Sequence, residues 1–223
     1  MPASPSPAPL PVTPPPVAAV IFDYGGVLRR EDPADFDAFA REVGLPPGWL
    51  WAAFHDIPEY TLSRTGRLDA AGYRAAVVAA LARVLPADRA EAALDAWEAL
   101  RRADAPVEPA MRDVLDRLRG RVRLGLLSNA GAGARSRLEA LGVAALFDDV
   151  VTSGDVGLAK PDPAIFRLAA DRLGVPPAAC AFVDDTPRHV EGARAVGMRA
   201  HHHHRTRMAD LIAFLREVGA LAP

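Results

Sequence analysis

The chain has 223 residues, of which 50% are hydrophobic and 24% are charged, so it is long enough to bury a substantial core. A formal net charge of −2 and an isoelectric point near 6.3, without a basic stripe interleaved with aromatic residues, argue against a nucleic-acid or membrane-surface partner. The single cysteine, Cys180, excludes a disulfide framework and favours a reducing compartment, so we expect a cytoplasmic protein.

Residues 1–16 contain eight prolines and few large apolar side chains, which predicts a disordered tail. They lack the basic start and apolar centre of a signal peptide, and no later run is long and apolar enough to cross a membrane. The first predicted strand lies in residues 17–28, VAAVIFDYGGVL, whose apolar start is typical of a strand buried on both faces of a parallel sheet. Asp23 stands at its carboxyl end, where open α/β sheets bind ligands, and Gly25 and Gly26 allow positive φ and a close backbone approach.

Only helical periods follow from about residue 33 to 104, which predicts an inserted bundle of helices outside the sheet. We place this helical insertion at residues 31–105, which leaves residues 17–30 and 106–223 for an α/β core. Apolar residues at helical spacing predict the interior of the insertion: Phe36, Phe39, Ala40, Val43, Tyr73, Val77, Leu81, Val84, Leu94 and Trp97.

Strand and helix patterns alternate from residue 106 onward, which predicts βαβ units and a parallel sheet. The expected fold is therefore a Rossmann-like, three-layer α/β sheet carrying the helical insertion. Gly120, Gly142 and Gly174 are expected just beyond three helix ends, and Thr206 is the expected N-cap of the last helix. The predicted strands are 122–127, 150–151, 180–183 and 198–202, and the predicted helices are 108–119, 132–141, 163–173 and 207–218.

Polar residues follow the carboxyl ends of three predicted strands. Asp23 ends the first, Ser128 follows the second, and Asp184 and Asp185 follow a later one. Parallel packing brings these ends to one rim, where three carboxylates would repel one another unless a hard cation such as Mg²⁺ lay between them. The competing interpretation is that a helix N-terminus favours Asp through its dipole.

Lys160 is the single lysine beside 25 arginines. It lies in GLAKPDP, ahead of a predicted helix, where its ammonium can supply the positive charge that a bound phosphate requires. The alternative is that one lysine remains among many arginines by chance.

Four ordered motifs, IFDYGGVL, LLSNA, SGDVGLAKPDPAIF and FVDDTPRHVEGARAVGM, resemble those of the haloacid dehalogenase superfamily over residues 17–215. The helical insertion resembles the family's helical cap, and PEYTLSRTGRLDAAGY is similar to cap sequences of sugar-phosphate phosphatases. The resemblance implies a phosphatase of small phosphorylated metabolites, acting as a monomer or homodimer, in which Asp23 becomes a phosphoaspartate with the help of Lys160. By the same resemblance, Ser128, Asn129 and Lys160 bind the phosphoryl group, and Mg²⁺ lies on Asp23, the Gly25 carbonyl, Asp184 and Asp185.

Position 25 departs from the family pattern, because most phosphatases of the family carry a second Asp there as general acid and base. A glycine cannot donate a proton, and general acid–base assistance typically contributes about 10²- to 10⁴-fold. This loss favours substrates with activated leaving groups, such as sugar 1-phosphates. His189, and His55 with Asp56, could replace the missing donor, although ordinary surface histidines are the competing interpretation.

Two further groups of residues have a structural and a functional interpretation. His201–His204 would place alternate members on one strand face as for a metal site, but no Cys or acid completes a ligand set nearby. Four aromatic residues of the insertion could line a substrate pocket, although we expect at least half of them in its core: Trp49, Trp51, Phe54 and Tyr60.

Four functions are compatible with these residues. The first is the Mg²⁺-dependent phosphatase. A dehalogenase would use Asp23 on carbon without metal, but then no cation would explain Asp184 and Asp185. A phosphonate hydrolase would, by family resemblance, need a lysine in the helical insertion, and none is present. A catalytically weak or inactive binding protein is supported mainly by Gly25.

Overall fold

The structure is a computed structural model that describes residues 15–103 and 106–222. The predicted disordered tail lies outside these residues except for its last two positions. No helix in the described part of the chain is long and apolar enough to cross a membrane.

A parallel sheet of five strands lies at the centre, in the order β3-β2-β1-β4-β5. The first strand, β1, is therefore the middle one, and its residues alternate between two hydrophobic clusters that cover the two faces of the sheet. This arrangement confirms the predicted α/β class with a parallel sheet. The strands are β1 (Ala19–Phe22), β2 (Arg123–Ser128), β3 (Asp149–Thr152), β4 (Cys180–Asp184) and β5 (Arg199–His202).

Helices cover both faces of the sheet. On one face α6 and α11 pack against Val20 and Phe22, and on the other α9 and α10 pack against Ala19 and Ile21. The helices of this part are α6 (Pro109–Leu118), α7 (Ala134–Ala140), α8 (Ser153–Val156), α9 (Pro163–Arg172), α10 (Pro187–Ala195) and α11 (Met208–Glu217).

Three of the predicted helix ends are confirmed, and two details of the prediction fail. Gly120, Gly142 and Gly174 adopt positive φ directly after the C-caps of α6, α7 and α9. The predicted N-cap Thr206 is wrong, because Arg207 is the N-cap of α11 and no side chain caps that helix. Helix α10 has no counterpart among the predicted helices, since its buried stripe is short and includes the polar His189.

The segment between β1 and α6 is helical, as predicted, with no strand among the described residues from 33 to 103, and it contains five helices there. These helices share a third hydrophobic cluster of their own. Most of the predicted interior residues belong to it, but Val84 is 40% exposed because α4 has already ended. The five helices are α1 (Pro33–Val43), α2 (Trp49–His55), α3 (Pro58–Arg64), α4 (Ala70–Leu81) and α5 (Ala87–Ala103).

The chain leaves the sheet part and returns to it at nearly the same point. The backbone N–H of Glu108 donates to the carbonyl of Leu28 at 2.8 Å, which joins the two connections. Asp32 caps α1 by accepting from the Ala34 N–H at 3.0 Å, and Pro33 occupies the first helical turn. The insertion therefore starts at a well-defined position just beyond the loop that follows β1.

Candidate active site

The carboxyl ends of β1, β2 and β4 meet at one rim of the sheet. Pairing places Phe22 level with Leu126 on one side and with Val183 on the other. The residues that follow these strands are therefore neighbours, and the structure brings together Asp23, Ser128, Asn129, Lys160, Asp184 and Asp185 around one cleft.

Lys160 lies between two carboxylates at the base of this cleft. Its Nζ atom donates to Asp23 Oδ1 at 2.7 Å and to Asp184 Oδ2 at 2.6 Å, and its side chain is only 1% exposed. Burial lowers the pKa of Lys160, but the two carboxylates outweigh burial and hold that pKa above its ordinary value. Lys160 is therefore a fixed positive charge rather than a flexible surface lysine.

Asn129 holds the backbone of Lys160 in place. Its Nδ2 atom donates to the Lys160 carbonyl at 2.9 Å, and its Oδ1 atom accepts from the Lys160 N–H at 2.8 Å. Asn129 also lines the cleft. This pair of hydrogen bonds gives it a positioning role in addition to the phosphoryl-binding role that the family resemblance implies.

The three carboxylates of the rim have very different proton affinities. Burial raises the pKa of Asp23 to about 8, although Lys160 acts against it. Burial and the charge of Asp184 raise the pKa of Asp185 to about 6. Burial would also raise the pKa of Asp184, but Lys160 and His189 hold it at about 2. Asp184 is thus ionised, while Asp23 and Asp185 lack sufficient positive charge nearby.

The donor set fits a hard divalent cation. Oxygen atoms of Asp23, Asp184 and Asp185 all lie within 4.8 Å of one another. They face a single ammonium group, so negative charge remains uncompensated at the rim. Carboxylate oxygens of this kind are the ligands that Mg²⁺ prefers.

Gly26 makes room for this carboxylate cluster. It adopts φ +78°, and a Cβ built on it would lie 2.0 Å from Asp185 Oδ2. Any side chain at this position would therefore displace the carboxylate as well as strain the backbone. The expected positive φ applies to Gly26 alone, because Gly25 is not among the glycines with positive φ.

The histidine run does not form a metal site in the described part of the chain, where the one candidate metal group consists of the three aspartates. His201 stacks on Phe214, and burial lowers the pKa of the neighbouring His203 to about 4. His202 contacts the Asp185 carbonyl through Nε2 at 2.8 Å. The run therefore supports the rim rather than forming a separate site.

His189 and His55 occupy different environments. His189 contacts Asp184 through Nδ1 at 3.1 Å, and burial lowers its pKa. His55 lines the cleft, stacks on Trp51 and contacts the Trp51 carbonyl through Nδ1 at 3.0 Å. Burial also lowers the pKa of His55. Neither is a freely exposed surface histidine.

The cleft has a volume of about 700 Å³ and lies between the rim and helices of the insertion. Trp51 and Tyr60 line it, whereas Trp49 and Phe54 pack against the cluster inside the insertion. Half of the four aromatic residues thus face the cleft, and Asp56 lines it as well.

Glu31 and Arg64 are among the charged residues of this cleft that sequence reasoning missed. The Arg64 guanidinium lies over the rings of Tyr60 and Tyr73, at 4.6 and 5.2 Å from their centres. It forms no ion pair with a carboxylate in the described ranges, and its Nε atom is buried without a hydrogen-bond partner there. No spacing rule connects either residue to the four motifs, because helix packing alone brings them to the rim.

Comparisons with known proteins agree with this arrangement. The family model for haloacid dehalogenase-like hydrolases matches residues 17–197. A phosphatase of Mycobacterium tuberculosis is 32% identical over 201 residues, covering 83% of this chain and 86% of the relative. A phosphoglycolate phosphatase of Rhodospirillum rubrum is 33% identical over 199 residues, covering 81% and 76% of the two chains.

Solved structures show the same fold at lower sequence identity. A HAD family enzyme from Bacteroides thetaiotaomicron, crystallised with magnesium and inorganic phosphate, aligns with a TM-score of 0.62 at 18% identity and covers 83% of this chain and 93% of its own. A dehalogenase aligns with a TM-score of 0.63 at 24% identity, covering 83% and 84%. Together with the family model and the phosphatase relatives, the rim geometry leads to one conclusion: this chain belongs to the haloacid dehalogenase-like hydrolases, as a member of the phosphatase type.

Proposed function

We propose that this protein is a Mg²⁺-dependent phosphatase that transfers the phosphoryl group of a small phosphorylated metabolite to Asp23 and then to water. The observation that carries the proposal is the buried Lys160 ammonium, which lies 2.7 Å from Asp23 and 2.6 Å from Asp184 beside a further carboxylate, Asp185. A cation next to a nucleophile at the base of a cleft is what an anionic substrate requires.

Each residue of the rim has a defined role in this reaction. Asp23 attacks phosphorus with a carboxylate oxygen, and the bond to the leaving oxygen breaks. Lys160 favours the ionised form of Asp23 against the effect of burial and stabilises negative charge on the phosphoryl oxygens, while Asn129 fixes the backbone of Lys160. Ser128 lines the cleft beside Asp23, where its hydroxyl can donate to a phosphoryl oxygen.

Asp23, Asp184 and Asp185 would hold the magnesium ion, with the Gly25 carbonyl that the family resemblance adds. When bound, Mg²⁺ supplies positive charge that offsets the repulsion between a carboxylate nucleophile and a phosphate dianion. Burial raises the pKa of Asp23 to about 8, and the positive charge of a bound cation would lower it.

The cleft constrains the substrate as well as the chemistry. Its volume of about 700 Å³ suits a metabolite rather than a macromolecule. Trp51 and Tyr60 offer apolar contact, and Arg64 offers a cation to the part of the substrate beyond the phosphate. Gly25 favours esters with good leaving groups, such as sugar 1-phosphates, unless another side chain donates a proton to the leaving oxygen.

Two alternative functions explain less of the site. A dehalogenase would leave the cluster of Asp23, Asp184 and Asp185 without a cation, and the likeness to a solved dehalogenase is one of fold. An inactive binding protein would have no use for the hydrogen bonds that fix Lys160 between two carboxylates. The cytoplasmic location and the monomeric or homodimeric state remain predictions from the sequence.

The test is a panel of phosphorylated metabolites assayed with Mg²⁺ and with EDTA on wild type, Asp23→Asn and the matched control Asp113→Asn. Asp113 is an exposed carboxylate on α6, so its variant should keep wild-type rates. Wild type should release phosphate only with Mg²⁺, and Asp23→Asn should release none while remaining folded. Phosphate release by Asp23→Asn at wild-type rates would refute the assignment.

A further inference from the structure

Glu31 fills the space beside Gly25 where a side chain would otherwise lie. A Cβ built on Gly25 would lie 2.2 Å from Glu31 Oε2 and 3.5 Å from its Cδ atom. Two atoms without a bond between them cannot approach to 2.2 Å, so the Glu31 carboxylate occupies the position that a side chain at residue 25 would take. A carboxyl group is therefore present in the space beside position 25, although it belongs to Glu31 and residue 25 itself is glycine.

The Glu31 carboxylate is accessible to a bound substrate. It lines the same cleft as Asp23 and Lys160, and the residue is only half-buried. It makes no hydrogen bond or ion pair within residues 15–103 and 106–222, whereas Asp23 and Asp184 are bonded to Lys160. Its oxygens remain available to exchange a proton with the substrate.

The backbone at Glu31 is held in place through the next residue. The next residue, Asp32, caps α1 through Oδ1 and pairs through Oδ2 with Arg205 at 2.7 Å. Arg205 follows β5 in the sheet part of the protein, so this pair ties the start of the insertion to the sheet. Glu31 therefore keeps its place next to the loop that carries Asp23.

Several other titratable groups near the nucleophile are already engaged in contacts of their own. Lys160 is shared between two carboxylates, and His189 contacts Asp184. Asp184 and Asp185 belong to the cation cluster. His55 uses its Nδ1 atom on a backbone carbonyl and stacks on Trp51.

We propose that Glu31 is the general acid and base of the reaction, in the role that Gly25 cannot fill. This inference rests on the proposed function. In the first step an oxygen of Asp23 attacks phosphorus, the bond from phosphorus to the leaving oxygen breaks with its electron pair on that oxygen, and the Glu31 carboxyl gives it a proton. In the second step the Glu31 carboxylate removes a proton from water, the water oxygen attacks phosphorus, and Asp23 leaves as a carboxylate together with inorganic phosphate.

The role predicts how Glu31→Gln responds to the leaving group. Glutamine keeps the shape of the side chain but cannot donate the proton, so kcat/KM for alkyl phosphates should fall by about 10²- to 10⁴-fold. Aryl phosphates with acidic leaving groups need no proton and should lose far less. The dependence of kcat/KM on leaving-group pKa should thus be shallow in wild type and steep in Glu31→Gln.

A second readout comes from the hydrolysis step. Without its base, Glu31→Gln should hydrolyse the phosphoaspartate slowly, so aryl phosphates should give a rapid burst of released phenol that approaches the enzyme concentration. A residue with only a structural role would lower both steps without producing a burst. Glu91→Gln changes an exposed glutamate on α5 and is the matched control, which should behave as wild type.

The carboxyl group can also be moved back to position 25. Gly25 does not adopt positive φ, and the obstacle to a side chain there is Glu31 itself. The double variant Gly25→Asp with Glu31→Ala should therefore recover a shallow leaving-group dependence, whereas Glu31→Ala alone should remain steep.

The outcomes separate this inference from the proposed function. If the dependence of kcat/KM on leaving-group pKa is equally shallow in wild type and Glu31→Gln, Glu31 is not the proton donor. The proposed function is not affected by that result, because Asp23→Asn tests the nucleophile separately. A steep dependence already in wild type also overturns the role of Glu31 and supports the preference for activated leaving groups. If wild type hydrolyses no phosphate ester, the proposed function fails and this inference with it.

Discussion

Replacing Lys160 by methionine tests whether the buried ammonium holds the rim together. The change keeps an unbranched side chain that is one atom shorter and removes its charge, which leaves Asp23 and Asp184 facing each other with no ammonium between them. Both carboxylates are buried, and Asp184 is 0% exposed. Breaking a buried ion pair by removing one partner costs about 3–5 kcal/mol, because the remaining charge stays buried and uncompensated.

This loss should depend on pH and on metal. In EDTA at pH 8, Lys160→Met should lower the unfolding midpoint by about 6–20 °C, taking about 2–4 °C per kcal/mol for a chain of this size. Without Lys160 the pKa of Asp23 rises further and the pKa of Asp184 rises from its low value of about 2, so these groups protonate as the pH falls and the loss should shrink towards pH 5. Saturating Mg²⁺ should restore part of the stability, since the cation neutralises the same carboxylates.

The assay is thermal or urea unfolding followed by circular dichroism, with Arg112→Met as the control. Arg112 forms a helical pair with Asp116 at 3.5 Å in which the side chains are 50% and 54% exposed, so its loss should cost at most about 0.5 kcal/mol. If Lys160→Met in EDTA at pH 8 is as stable as this control, the ammonium does not stabilise the rim and the reasoning is wrong.

Three further predictions concern activity and pH. Lys160→Arg should lose most activity although the charge is kept, because a planar guanidinium cannot occupy the space that an ammonium fills between two carboxylates. Near-normal rates with Mg²⁺ would show that either basic side chain can serve at this position. Burial raises the pKa of Asp23 to about 8 and of Asp185 to about 6, so the protein in EDTA should lose stability as the pH rises from 5 to 9. Mg²⁺ should therefore raise its unfolding midpoint more at pH 8.5 than at pH 6. Equal shifts of the midpoint at both pH values would contradict these pKa values. Arg64→Met should raise KM for metabolites with polar groups beyond the phosphate and leave kcat for p-nitrophenyl phosphate nearly unchanged. The control is Arg83→Met, which changes an exposed arginine. An equal loss of kcat on all substrates would instead indicate that Arg64 takes part in the chemical step.

The meeting of Asp23, Ser128 and Asp184 could be predicted because it needs only parallel strands that end at one rim. The local sequence pattern predicts each strand, and the geometry of a parallel sheet brings the carboxyl ends of the strands together. The place of Lys160 also follows, since its segment leads from the sheet into α9. Two wrong predictions also have local causes. Helix α10 was not predicted because it is too short and too polar on its buried face to show a helical period. Val84 is exposed because it follows the end of α4.

Glu31 and Arg64 could not be predicted, because their positions depend on how the helical insertion packs on the sheet. Glu31 lies in a connection, where neither a helical nor a strand period applies. Arg64 is at the end of α3 and differs in no sequence feature from many exposed arginines. The approach of Glu31 to Gly25, on which the proposed role of Glu31 rests, is visible only in the structure.

The central place of β1 has a consequence for how the chain folds during synthesis. Residues 19–22 pair with residues that begin at Arg123 on one side and at Cys180 on the other, so the strand that precedes the nucleophile has no sheet partner until more than half the chain has been made. The helices between residues 33 and 103 share their own hydrophobic cluster and can pack first. Once they have done so, the junction of Leu28 with Glu108 shortens the effective distance between β1 and β2, and the entropy lost in closing that long loop falls accordingly. The helical segment that lines one side of the cleft in the folded protein thus also favours the pairing of β1 with β2 in the nascent chain.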